Sequence, residues 1–133
     1  MHADGRGGPR DDEEARRLFG LAAAQGLAEA QTLLGGMHTN GCGGPRDDEE
    51  ARRLFGLAVA QGLAEAQYTL GAMHSQGLGG AQDDVEARRL LGLAAAHGHV
   101  EAQRAVKEHD ARARHAAKAV ETSRRREERE AQV

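Results

Sequence analysis

The sequence repeats itself with a period of 36 residues, and this periodicity limits the possible fold more than any other feature. The segment 8–22 recurs unchanged as 44–58, and 29 of 36 positions are identical between 8–43 and 44–79. Internal repetition at such a period is typical of solenoids and arrays, in which each unit packs only on its neighbours.

A third copy begins at Gly80 and matches the second at 16 of 24 positions through Gln103, after which the similarity ends. Met1-His2 aligns with Met37-His38 at the same offset, so the chain opens inside a repeat, as in a fragment or a gene model that starts at an internal methionine. We therefore predict a repeat domain over 1–106, made of a partial repeat 1–7 and repeats 8–43, 44–79 and 80–106, followed by a charged helical extension over 107–133.

Each unit has the pattern of two helices joined by a tight turn. Asp11 or Asp12 can cap the first helix, and Glu13 in its first turn favours the helix dipole. Arg16 and Arg17 lie three and four residues after Glu13, a spacing that offers exposed ion pairs. Apolar residues recur at helical spacing, which predicts helices near 11–25, 28–39, 47–61, 64–75, 83–97 and 100–130.

Glycines punctuate every unit. Gly26 suits the left-handed position that ends a helix, and Gly41, Gly43 and Gly44 predict a flexible loop to the next unit. A further set falls inside predicted helices, where each costs about 1 kcal/mol relative to alanine. These interior glycines indicate either sequence drift or a close approach of two helices; they are Gly20, Gly56 and Gly92.

One helix pair cannot bury its apolar face alone, so stacked pairs sharing a continuous core are expected. Aromatic residues make up only 2% of the chain, and alanine and leucine supply most of the apolar material, so we expect modest stability. The predicted fold class is all-α: an α-solenoid of helix–turn–helix repeats that ends in a long C-terminal helix.

The residue pattern of the unit resembles that of the Sel-1-like repeat (SLR) family, which is related to tetratricopeptide repeats. The resemblance is carried by AEAQYTLGAMH at 64–74, GLG at 77–79, DDVEA at 83–87 and AAAHG at 94–98, and it extends over about residues 1–106. The chain departs from the family pattern where His38 and His74 replace tyrosine, and where leucine replaces tryptophan at 18, 54 and 90. The resemblance implies a right-handed α/α superhelix with a looser core than usual.

The same resemblance implies a non-catalytic scaffold or adaptor that binds a partner protein or peptide on the concave face, lined by the helix that begins AEAQ. Some secreted members are linked to β-lactam binding, but they carry a cysteine pair in each repeat, and Cys42 is the only cysteine here. We therefore predict no enzyme activity, and keep a β-lactam-binding or β-lactam-hydrolysing enzyme as the alternative.

Internal comparison supports the AEAQ helix as the binding face. The first two full units differ at seven positions, and six of them lie in this helix or in the loop after it. Tyr68 is the best anchor candidate, because tyrosine is enriched at interface hot spots, although it could equally serve only to pack between helices. The predicted partner-binding residues are Glu29, Thr32, Leu33, Gly36, Glu65, Tyr68, Thr69, Ala72 and Arg104.

The histidines and carboxylates do not form a recognisable catalytic or metal-binding motif. His38 and His74 occupy equivalent places in successive units, too far apart to share a metal, and zinc needs three or four ligands. The aspartate pairs recur at each helix start, where capping explains them. We predict no catalytic residue, no metal and no cofactor.

The two ends of the repeat domain lead to further expectations. The arginine-rich end of the chain, 124–130, offers nucleic-acid binding as another alternative, but its interleaved glutamates and the net charge of −3 argue against that role. At the other end, Leu18, Leu21 and Ala22 lack a preceding helix, which predicts self-association or a missing repeat. With no signal peptide, no membrane-span pattern and no cysteine pair, we predict a cytoplasmic protein.

Overall fold

The computed structural model describes residues 9–132, and every regular element in that range is a helix. The helices are α1 (Pro9–Ala24), α2 (Ala28–Asn40), α3 (Asp48–Val59), α4 (Ala64–Gln76), α5 (Asp84–Ala96) and α6 (Val100–Ala131). Each packs against the next along the chain, giving an all-α solenoid of helical repeats. The fold class is thereby confirmed; the partial repeat 1–7 lies outside the described residues.

The first helices of the second and third units begin as the sequence predicts. Asp47 and Asp83 are the N-caps of α3 and α5, and each accepts a hydrogen bond of 3.0 Å from the backbone N–H three residues later. Helix α1 differs, since it begins at Pro9 and includes Asp11. The caps of α3 and α5 are fixed because Asp47 N–H and Asp83 N–H donate to the histidine carbonyls of the preceding unit, at 2.9 Å.

Two clusters of buried apolar side chains run along the stack. One is shared by α3, α4 and α5, with Phe55, Leu70, Met73 and Leu90 as its largest members. The other joins α1, α2 and α3 around Leu34 and Leu54. Alanines fill all but one of the remaining core positions, Leu91 being the exception, so the helices must approach closely to exclude space between them.

Glycines on the second helix of each unit make this approach possible. A β-carbon on Gly35 of α2 would lie 2.9 Å from Cζ of Phe55 in α3. In the next junction, a β-carbon on Gly71 would lie 3.1 Å from Cγ of Leu91 and 3.3 Å from the Ala87 carbonyl oxygen. The helix pairs α2–α3 and α4–α5 therefore touch where one helix has no side chain.

The interior glycines of the first helices, for which close helix approach was one interpretation, do not lie at a helix–helix contact. An added β-carbon would meet nothing within 4 Å at Gly20, Gly56 or Gly92, so these positions face open space. Of the two interpretations of these glycines, close packing against another helix is therefore wrong.

The loops between units are held by an arginine clamp, which replaces the flexible loop expected from the sequence. Nε of Arg16 donates to the Cys42 carbonyl at 2.9 Å, and Nη2 donates to the carbonyls of Met37 and Pro45 at 3.3 and 3.2 Å. Arg52 makes the same contacts one unit later, at 2.9 Å to Leu78, 3.4 Å to Met73 and 3.3 Å to Ala81. A planar guanidinium satisfies three carbonyls at once because its donors are fixed in a fork.

Loop glycines lie directly beneath this clamp. Gly43 has a φ of +72°, and a β-carbon there would collide with the carbonyl group of Asp12. Gly79, with a φ of +73°, has the same relation to Asp48. Each loop is therefore packed against the start of the first helix of its own unit, and only glycine fits there.

The arginines that directly follow the clamp arginines form the exposed ion pairs. Their partner is Glu14 or its equivalent, and not Glu13, from which the spacing was counted. Arg17, Arg53 and Arg89 pair with the glutamate three residues earlier, at 2.7, 2.5 and 2.6 Å. Hydrogen bonding from the guanidinium lowers the pKa of Glu50 and of its equivalents. Within the clamp, burial and then the charge of Arg16 lower the pKa of His38, whose Nδ1 lies 3.4 Å from Nη1 of that arginine.

Helix α6 leaves the stack after its first turns. Ala102 is its buried residue, and nearly every side chain beyond 110 is exposed. Arg124 pairs with Glu121 and Glu128, each at 2.5 Å, which supports the helix without tertiary contact. Among residues 9–132, no helix has the length and apolarity required to cross a bilayer.

The clamp predicts unequal roles for two adjacent arginines. Arg52→Ala removes the guanidinium that donates to three carbonyls and should lower the free energy of unfolding by about 1–3 kcal/mol. Arg53→Ala removes only an exposed ion pair and should cost less than about 1 kcal/mol. Urea denaturation of both variants measures the difference, and equal losses would contradict the clamp.

The adjacent glycines of α2 provide a second matched pair. Gly36 faces open space, so Gly36→Ala should stabilise the chain by about 0.5–1 kcal/mol through helix propensity. Gly35→Ala gains the same propensity but forces the Phe55 ring to move, and overpacking costs about 1–3 kcal/mol. Chemical denaturation should place the Gly35 variant below wild type and the Gly36 variant above it; the reverse order would refute the packing described here.

Candidate partner-binding surface

Eight of the predicted partner-binding residues form one side of the second helices. In α2 they occupy positions 29, 32, 33 and 36, and in α4 positions 65, 68, 69 and 72, a spacing that places each set on one helix face. None of the eight is buried, whereas the residues between them form the core. Buried in their place are Ala30, Gln31, Leu34 and Gly35 of α2 and Ala66, Gln67, Leu70 and Gly71 of α4.

The α2 part of this surface is mainly apolar and open. Leu33 is exposed, and Gly36 has room for a larger side chain. The Thr32 hydroxyl is occupied within the helix, since it donates to the Ala28 carbonyl at 3.0 Å. The exposed apolar contact that α2 offers to a partner is therefore Leu33, with the Glu29 carboxylate one turn away.

Two of the predicted residues on α4, Glu65 and Tyr68, contact His99 at the start of α6. The Tyr68 ring stacks on His99, with centroids 4.6 Å apart and planes 21° apart. Glu65 Oε2 lies 2.8 Å from Nε2 of the same histidine. Because His99 Nδ1 accepts the backbone N–H of Ala102 at 3.2 Å, its proton sits on Nε2 and is donated to Glu65.

His99 is a member of the surface that sequence reasoning missed. It is the N-cap of α6 and occupies the position of Leu27 and Leu63 in the earlier units. The signal was present, because the third copy departs from the repeat here by placing a polar ring next to the helix start. Its two ring nitrogens link the helix cap to Glu65, so it fixes the geometry of this part of the surface.

The contact with His99 bears on the role of Tyr68. Tyr68 is half-buried, so one part of its ring packs within the protein while another stays accessible. Arg104, the remaining predicted residue, is exposed on α6 and forms no ion pair within residues 9–132. The stacking accounts for Tyr68 as a packing residue, and its use as an anchor stays a prediction.

Buried glutamines support the surface from behind. Gln31 of α2 donates to the Ala23 carbonyl at 3.3 Å, and its Oε1 accepts from Nε2 of Gln61 in the next unit at 3.1 Å. Gln67 of α4 pairs in the same way with Nδ1 of His97 at 3.0 Å. These bonds tie each second helix to the end of the following first helix, so adjacent repeats are held in register.

The described part of the chain shows no arrangement suited to a metal. Within residues 9–132, no group of three or more histidine, cysteine or acidic side chains converges to hold an ion. His38 and His74 instead contact the clamp arginines, at 3.4 and 3.3 Å.

Helix pairs that stack through glycines, with a variable outward face, define a helical-repeat solenoid. The Sel1 repeat family model matches residues 1–27, 28–63 and 64–99, and the chain therefore belongs to the Sel1 repeat family. The second and third matched segments begin at the AEAQ helix, whereas the repeats predicted from the sequence begin at the loop glycine before the first helix; the period is the same. Repeats of this family commonly serve as protein-interaction scaffolds.

Two of the solved structures with the same fold come from bacteria. A Sel1 repeat protein from Oxalobacter formigenes is 32% identical, with a TM-score of 0.61 over 62% of this chain and 34% of that one. The protein c5321, a protective antigen present in uropathogenic Escherichia coli strains and displaying an SLR fold, is 35% identical, with a TM-score of 0.70 over 76% of this chain and 22% of that one. The chain thus spans only about a third or less of these proteins, and no curated protein matches its sequence.

The Tyr68–His99 stack makes a prediction about stability. Tyr68→Ala removes the aromatic pair and should lower the free energy of unfolding by about 0.5–1.5 kcal/mol beyond the loss of buried area. Tyr68→Phe keeps the ring, so its stability should match that of wild type. Thermal and urea unfolding of the two variants are the measurements. An alanine variant as stable as wild type would show that the stack does not contribute to the free energy of unfolding.

Proposed function

We propose that this protein is a non-catalytic scaffold that binds a partner protein or peptide along the outward face of α2 and α4. The supporting observation comes from the two nearly identical units. Their six differences in the second helix and the following loop all fall at positions that are exposed or half-buried. The four core positions beneath them do not differ between the units.

This distribution is what a repeat scaffold requires. Packing positions must stay the same for neighbouring repeats to stack, whereas a binding face has to differ from repeat to repeat to recognise an irregular partner. The pair Leu33/Thr69 changes an apolar contact into a polar one, and Thr32/Tyr68 changes a small hydroxyl into an aromatic ring. Successive units therefore offer different chemistry at equivalent places.

The chemistry of the face indicates the kind of segment it accepts. Glu29 and Glu65 occupy equivalent positions and are both exposed, so the surface carries a negative charge in each unit. Leu33 and the accessible part of Tyr68 supply apolar contacts one turn further along. A partner segment with basic residues flanking an apolar side chain complements this pattern.

The other functions considered from the sequence have direct assays. Hydrolysis of nitrocefin tests β-lactamase activity, and a gel shift at several salt concentrations tests nucleic-acid binding by the arginine-rich end of α6.

Two exposed leucines, one on the proposed face in α2 and one outside it in α3, allow a controlled test of the binding face. We expect Leu33→Glu on α2 to reduce capture of specific partners from a lysate by about tenfold or more, because it places a charge in the apolar part of the face. Leu57→Glu on α3 alters an exposed leucine outside that face and should leave capture unchanged. Quantitative mass spectrometry of the captured proteins compares the two.

Folding is the control for both variants, since each side chain is exposed and the circular dichroism spectrum should not change. Equal loss of capture by the two variants, or loss only with Leu57→Glu, would place the binding surface elsewhere.

A further inference from the structure

Of the two glutamates on the proposed binding face, Glu65 is the one that the fold holds in place. Its Oε2 lies 2.8 Å from Nε2 of His99, whereas the equivalent carboxylate of Glu29 forms no hydrogen bond or ion pair within residues 9–132. The histidine side chain is 10% exposed and the Glu65 side chain 60% exposed. A largely buried ring therefore anchors a carboxylate whose charge faces solvent.

The ring holds this carboxylate without cancelling its charge. Nδ1 of His99 accepts the backbone N–H of Ala102 at 3.2 Å, so the single ring proton lies on Nε2 and the imidazole is neutral. A neutral donor orients Glu65 and leaves its negative charge intact. The other carboxylate oxygen, Oε1, has no hydrogen-bond partner in the described part of the chain and can accept a donor from a partner.

An aromatic ring lies beside the anchored carboxylate. Tyr68 follows Glu65 by one turn of α4, so both side chains lie on the same helix face. The tyrosine ring is fixed by its stack on His99, is half-buried, and has a hydroxyl that makes no hydrogen bond within residues 9–132. A carboxylate next to an aromatic ring attracts a cation both by its charge and by the ring quadrupole.

We propose that Glu65, Tyr68 and His99 form a binding site for a single arginine side chain of the partner. The guanidinium donates to Oε1 of Glu65 and lies against the tyrosine ring, since its planar fork suits both a carboxylate and an aromatic surface. Because Glu65 and Tyr68 are ordered by the histidine, little of their side-chain freedom is lost on binding. The site lies on the face proposed for partner binding, so its biological role rests on that proposed function.

The equivalent place in the preceding unit lacks both supporting groups. Thr32 and Leu63 stand where Tyr68 and His99 stand, so the Glu29 carboxylate has neither an aromatic neighbour nor an imidazole donor at these positions. An arginine of the partner is therefore directed to the α4 unit. The two units then read different side chains, as a scaffold with a variable face requires.

Arginine binding and protonation of the histidine compete at this site. A proton on Nδ1 of His99 would displace the N–H of Ala102 and place a positive charge beside Glu65, which repels the guanidinium.

The titratable or charged groups that flank the histidine ring in space or along the chain come from three helices: Glu65 and Tyr68 of α4, His97 at the end of α5, and Glu101 and Arg104 of α6. Glu65 is the one whose charge contacts the ring, so arginine binding should weaken as the pH falls through the range in which histidine titrates.

The probe for this site is N-acetyl-arginine amide, and N-acetyl-citrulline amide is its matched neutral control. Tyr68 is the only tyrosine of the chain, so its ring signals in nuclear magnetic resonance spectra report the site directly. Titration of the full chain with the arginine probe at about pH 7.5 should shift these signals saturably. The citrulline probe should bind more weakly by about fivefold or more, because it lacks the charge.

Two glutamates at equivalent positions separate the site from the general charge of the surface. Glu65→Gln removes the anchored carboxylate and should weaken binding of the arginine probe by about fivefold or more. Glu101→Gln removes the same charge one unit later and should change the affinity by less than about twofold. Both side chains are exposed, and circular dichroism should show that both variants fold like wild type.

The competition with the proton has its own readout. The affinity of wild type for the arginine probe should fall by about threefold or more between about pH 7.5 and about pH 5.5. Because binding and protonation are reciprocal, the His99 ring signals should titrate at lower pH with the arginine probe bound than without it. His99→Asn assigns these signals by their absence, and asparagine keeps an N-cap acceptor for the Ala102 N–H.

Three results would overturn the proposal: no saturable shift of the Tyr68 signals with up to about 50 mM arginine probe, equal affinity for the two probes, or equal weakening by Glu65→Gln and Glu101→Gln. An affinity that does not change with pH would overturn the competition with the proton. Capture of partners through Leu33 is measured separately, so failure of the arginine site and failure of the scaffold function give different results.

Discussion

The contact on which this solenoid depends is the approach of a glycine-bearing helix to the large side chain of the next repeat. Gly35 against Phe55 and Gly71 against Leu91 let the large side chain of one helix lie directly against the backbone of the other. The chain has few aromatic residues and many alanines, so it cannot fill a wide space between helices. Short helix separations compensate, because dispersion contacts and apolar burial both rise as the gap closes.

Rigidity of the outward face follows from polar contacts made behind it. The clamp arginines fasten the loop that follows each of the helices α2 and α4, and the Gln31–Gln61 pair joins successive repeats on the opposite end of the helices. Each second helix is thus held at both ends, while outward side chains such as Leu33 of α2 remain exposed. A face held in this way is ordered by the fold itself, which reduces the entropy cost of the binding proposed for it.

The sequence was sufficient to predict the helices and the stacking, because both follow from periodicity and from turn glycines repeated in register. The sequence could not show that Arg16 rather than Arg17 holds the loop. Two adjacent arginines have the same local sequence context, and only the position of the loop in the fold decides which of them contacts its carbonyls. Nor could it tell Gly20 from Gly35, as both lie inside helices and only tertiary contact separates them. His99 was missed although the third copy departs from the repeat there, because that departure does not reveal its contacts with Glu65 and Tyr68, 34 and 31 positions away.

The first and last helices of the described stack differ in how they pack, and one repeat position, the glycine of the second helix, accounts for much of the difference. At α6 a lysine, Lys107, stands at the position of the glycine that α2 and α4 place against the next first helix. The helix is then released from packing and continues to Ala131, supported by pairs such as Arg124–Glu121. At α1 the sequence retains the residues of an interior repeat, including the phenylalanine that requires a glycine opposite it. The described stack therefore differs at its two ends: α1 retains the residues of an interior repeat, and α6 does not.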